Sequence, residues 1–137
     1  MRRVVITGLG AVTSVGNNVA DTWDAIKNGK SGVGPITLFD TSEHLVKIAA
    51  EVKNFSLDSY GVDHKLSRKM SRFGKFLLGA SIEAVNDSGY DQSSIGKENV
   101  GITTGIGIGF FFFLENAYSK YQDSNGGVNR IPPLTAP

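Results

Sequence analysis

The sequence predicts an α/β protein. Two short β-branched runs, Val4–Ile6 and Asn99–Thr104, stop at or before closely spaced glycines. Segments with helical periodicity and capping residues lie between and after them. Strand and helix signals thus alternate along 137 residues, with no internal repeat and no linker dividing the chain into domains.

Taken in order, Val4-Val5-Ile6 reads as a buried strand that enters a tight turn at Gly8 and Gly10. Asn18 is placed to cap a helix carrying Trp23, Ala25 and Ile26, which Gly29 would close. Residues 30–44, with Gly32, Gly34, Pro35 and Asp40, read as a long surface loop, and Ile48–Val52 as a short strand. From Ser56 the pattern turns helical, with one segment over about 63–70 and a longer one over about 71–88 that stops at Gly89. In the longer helix Phe73, Phe76, Leu77, Ala80, Ala84 and Val85 recur at helical spacing and mark a core side. Gly74, Gly79, Ala80 and Ser81 are small and would let a neighbour approach closely. A last helix is expected over 111–124, stopped by Asn125-Gly126-Gly127. The apolar, proline-rich ending VNRIPPLTAP then reads as an interrupted domain, which points to truncation.

Composition narrows the function classes. Hydrophobic residues make up 40% and charged residues 20%, a globular balance, and the formal net charge is +1. No global positive excess favours nucleic acid, so a basic site must be a local cluster. There is no cysteine, which removes disulfides, thiolate metal sites and a cysteine nucleophile from this chain. Met1-Arg2-Arg3 before an apolar run resembles a secretory leader, but the run ends at Thr7-Gly8. No apolar stretch approaches the length of a membrane span. A cytoplasmic protein with no membrane or nucleic-acid partner is the expectation.

The segment VGITTGIGIGFFFFLEN, residues 100–116, poses the chemical question. A dinucleotide fingerprint needs G-x-G-x-x-G at a helix start, so that backbone N–H groups meet a pyrophosphate. Counting from Gly105 the third glycine falls on Phe110, and counting from Gly8 it falls on Thr13; neither run continues as a P-loop. Two readings stay open on the residues alone. The glycines allow close backbone packing at a strand end, or they alternate with Ile106 and Ile108 so that an isoleucine projects into an apolar cavity.

Three stretches, RRVVITGLGAVTSVGNNV, FDTSEHLVKIAAEVKNF and VGITTGIGIG, resemble the beta-ketoacyl-acyl carrier protein synthases, and within them the elongating type II enzymes of bacterial fatty-acid synthesis. The likeness runs from Arg2 to Pro137. It implies a thiolase-like layered αβαβα fold, of which this chain would hold most of the first half only, and a homodimer in the complete enzyme. It implies a decarboxylating condensation, in which an acyl group on a cysteine is attacked by malonyl borne on acyl carrier protein and two histidines stabilise the developing charge. Phosphopantetheine would come with the carrier protein, so no cofactor or metal is expected in the chain. The cysteine would lie beyond Pro137 and both histidines in the second half, so no catalytic residue is expected here. His44 and His64 stand in non-matching segments and read as exposed structural histidines.

Two sites follow from the resemblance. Ile108 matches the isoleucine whose rotation admits longer acyl chains, against the plainer reading that it is core. The family follows that isoleucine with two glycines, whereas Gly109 here precedes four phenylalanines, Phe110–Phe113. Those rings could narrow the gate, pack against a dimer partner or stay exposed, and the sequence leaves all three open. The second site is HKLSRKMSR, residues 64–72. On a helix at about 100° per residue, Lys65, Arg68, Lys69 and Arg72 share a face, and no acidic residue interrupts it. Such a run is usually a solvated face. The resemblance matches Lys65, Arg68 and Lys69 to a docking patch for acidic acyl carrier protein. The competing function is a non-catalytic truncated homologue that binds carrier protein or pairs with a full-length synthase.

Overall fold

The computed structural model describes residues 3–91, 93, 95–107, 109 and 111–124. It divides after residue 97 into two compact units.

In the first unit, α1 (Val19–Lys27) begins where the Asn18 side chain accepts the Asp21 N–H. It ends at Asn28 followed by Gly29 at φ 64°, a left-handed stop that glycine adopts without a Cβ clash. Next come two strands, β1 (Val33–Pro35) and β2 (Ile48–Ala50). They pair antiparallel, with Val33 opposite Ala50 and Pro35 opposite Ile48. A single 3₁₀ turn, Asp58–Tyr60, leads to α2 (His64–Lys69). Asp63 caps α2 by accepting the N–H groups of Lys65 and Leu66. Met70 is extended and Ser71 then caps α3 (Arg72–Ser88), which ends at Gly89 with φ 64°. A 3₁₀ turn, Lys97–Asn99, falls at the division, and the second unit holds α4 (Phe111–Asp123).

The helices thus lie within a residue of where caps and periodicity put them. Three strand expectations need correction. Part of the loop expected over 30–44 is β1, because Val33–Pro35 finds a partner in β2 and Pro35, lacking an N–H, sits at the strand's end. Val4–Ile6 is not a buried strand: it makes no ladder among the described residues, and Val4 is 94% exposed. Residues 100–104 likewise form no strand, and Ile102 is 89% exposed. β-branched residues favour extended backbone, but a strand exists only where a neighbour takes its hydrogen bonds.

Packing in the first unit centres on α3. Gly8 and Gly10 lie directly on it: an added Cβ would come 2.2 Å from the Ala84 carbonyl oxygen at Gly8 and 1.8 Å from that of Ala80 at Gly10. They serve close approach of the N-terminal segment to a helix whose facing residues are alanines. Two α3 carboxylates hold that segment in place. Glu83 accepts the N–H groups of Ala11 at 3.0 Å and Val19 at 2.8 Å, drawing together both ends of the loop before α1. Asp87 accepts the Leu9 N–H at 2.9 Å. On α3's other flank Phe55 packs at Gly79 and edge-on against Phe76, with centroids 5.2 Å apart. Leu57 is the largest fully buried side chain among the described residues, and Ala25 is the other buried apolar one in this unit. The predicted core side of α3 is only half covered, since Leu77 and Val85 are exposed.

Candidate functional site

α2 displays the basic cluster. Its six residues are fixed at the start by Asp63 and at the end by extended Met70, and Ser67 is the residue it buries. Lys65, Arg68 and Lys69 are all exposed on it. None of the three forms an ion pair with a described residue; among the described residues Asp24 pairs with Lys27 and Lys30, and the His64 ring lies 4.0 Å from the Asp58 carboxylate. The helix turn brings Lys65, Arg68 and Lys69 to one side. Arg72 is a correction to the expected four-residue face. The chain breaks at Met70-Ser71, so Arg72 opens α3 instead of continuing α2.

Arg72 has a place of its own. Its guanidinium donates to the Val52 carbonyl and lies 5.2 Å over the Phe76 ring. It borders a cleft of about 590 Å³ that Lys53, Lys75, Phe55, Phe76 and Glu51 also line. Glu51 is buried, and its carboxylate accepts the Thr37 N–H at 2.9 Å, the Thr37 hydroxyl at 2.7 Å and the Leu38 N–H at 3.2 Å. The Thr37 hydrogen bonds, with help from Leu38 and nearby Lys53, outweigh desolvation and hold its pKa below the usual carboxylate value. Sequence reading missed this cleft. The Lys69, Arg72, Lys75 spacing was visible, but Lys53 and Glu51 come from a distant stretch and only folding brings them there.

Ile108, the expected acyl gate, and Phe110 lie outside the described residues, as does the helix stop expected at 125–127. The flanking glycines Gly101, Gly105 and Gly107 have open space where a Cβ would point, and Ile106 is exposed. His64 is exposed with Asp58 at 4.0 Å, and His44 is exposed beside the Phe39 ring, as expected of structural histidines. No described helix is long and apolar enough to cross a membrane.

Comparison with known proteins completes the picture. Residues 1–136 match the family described as beta-ketoacyl synthase, N-terminal domain. The chain is 36% identical over 136 residues to a 3-oxoacyl-(acyl-carrier-protein) synthase 2 of Synechocystis and 41% identical over 136 residues to one of Coxiella burnetii. Each match covers 99% of this chain and 32% of the relative, so the chain spans about a third of the length of the curated relatives it matches. A solved structure, the ishigamide ketosynthase/chain length factor, superposes with a TM-score of 0.83 at 29% identity, over 98% of this chain and 33% of that one. The short hairpin, the capped helices and the segment laid on α3 are therefore part of a thiolase-like layered α/β fold. This chain belongs to the beta-ketoacyl synthase family and carries its N-terminal domain region.

Proposed function

We propose that this chain is the front part of a 3-oxoacyl-(acyl-carrier-protein) synthase that elongates fatty acids by decarboxylative condensation with malonyl-acyl carrier protein. In this reading the chain contributes recognition, not chemistry. It has no cysteine to carry the acyl group, so the 137 residues alone do not condense. Lys65, Arg68 and Lys69 receive the acidic carrier protein, which brings its own phosphopantetheine. Ile108 borders the acyl pocket. The complete enzyme works as a cytoplasmic homodimer.

The observation that carries the docking role is α2 itself: three exposed cations on one short helix, without an ion pair to any described residue. Each exposed contact contributes only about 0–1 kcal/mol, so their joint effect lies mainly in encounter rate and salt dependence. Titrating an acyl carrier protein into the complete enzyme tests it. Lys65→Glu with Arg68→Glu weakens binding several-fold at low salt and much less at high salt; an affinity unchanged from that of the unmutated protein in both salts removes the docking role.

A second reading rests on the missing cysteine: a non-catalytic homologue that binds carrier protein or pairs with a full-length synthase. The codons after Pro137 separate the two. An in-frame continuation that reaches a cysteine supports the enzyme, and a stop supports the binding protein.

A further inference from the structure

The cleft beside the start of α3 gathers three cations around an aromatic floor. Arg72 is held from two sides, by the Val52 carbonyl and by the Phe76 ring, and Phe76 is braced edge-on by Phe55. Lys53 and Lys75 line the same cleft and form no ion pair with a described residue. Glu51 is the one carboxylate lining the cleft, and both of its oxygens already accept protein donors from Thr37 and Leu38. Like charges gathered at one opening repel, and an anion entering there relieves that repulsion.

We propose that this cleft is the second half of the carrier-docking surface, and that it receives acidic side chains of the acyl carrier protein seated on α2. The inference rests on the docking role given to Lys65, Arg68 and Lys69. Two features favour a protein carboxylate over a small inorganic anion. The floor is aromatic, so the methylene carbons of a Glu or Asp can lie on Phe55 and Phe76 while the carboxylate reaches the cations. The cleft also follows directly on α2. Lys69 and Arg72 are three residues apart, so their Cα atoms are within about 11 Å, roughly two turns of a partner helix.

The test uses carrier-protein titration of the complete enzyme with Lys75→Glu and Lys53→Glu, leaving Arg72 intact because its guanidinium donates to the Val52 carbonyl. Lys75→Gln is run beside them as a milder change that suits a helix equally well. Each charge reversal is expected to lower affinity up to about five-fold at low salt, with a smaller loss for Lys75→Gln and little loss at high salt. If the cleft variants bind normally while Lys65→Glu with Arg68→Glu loses affinity, the cleft assignment is overturned and docking on α2 stands. If none of the variants changes affinity, both fall. Inorganic phosphate is titrated separately: saturable binding that Lys75→Glu abolishes, with carrier affinity intact, marks a small-anion site and also overturns the proposal.

Discussion

Glu51 and Gly10 show how single residues set this structure. Glu51 is a buried carboxylate made tolerable by three donors, and its folded pKa lies below its unfolded value of about 4.3. Its stabilising effect is therefore complete above that value and is lost as pH falls through the depressed folded pKa. Glu51→Gln should lower stability at neutral pH and flatten the acid limb of a pH–stability profile; an unchanged acid limb contradicts the role given to these hydrogen bonds. At Gly10 the obstacle is backbone, not a side chain that can turn away. Gly10→Ala must push the N-terminal segment off α3, at a cost of about 1–3 kcal/mol, read as faster native-state proteolysis. Neither role was written in the residues themselves. A glycine before a turn looks the same whether it bends the chain or touches a helix.

At the scale of elements, helix starts were legible and pairing was not. Asn18, Asp63 and Ser71 each accept N–H groups of the helix that follows, a contact decided within three residues. Ser71→Ala should cost about 1 kcal/mol, because the Gly74 N–H loses its acceptor at the start of α3. Thermal melts of the variant check this, and an unchanged midpoint would show that packing alone holds the helix start. Strands depend on partners elsewhere. Val33–Pro35 looked like loop yet pairs, whereas Val4–Ile6 looked like strand and makes no ladder among the described residues. The basic face shows the same limit. Lys65, Arg68 and Lys69 were readable by helical spacing, but Met70 and Ser71 turn Arg72 onto another helix and beside Lys53.

Over the molecule as a whole, large apolar side chains remain open to solvent, among them Val4, Ile6, Trp23, which is 65% exposed, and Ile102. Surface of that kind favours self-association. The isolated chain should bind a hydrophobic dye and sediment as more than a monomer; a monodisperse monomer melting cooperatively without dye binding contradicts this. The sequence by itself determined the family, the positions of the helices, the glycine stops after α1 and α3 and the basic character of α2, because motif identity, capping and helical spacing are encoded in adjacent residues. Only the tertiary structure decided which extended runs are strands, that Gly8 and Gly10 touch α3, and that Lys53, Arg72 and Lys75 share a cleft with buried Glu51. Those outcomes depend on contacts between residues far apart in the chain, and such contacts leave no mark in local spacing.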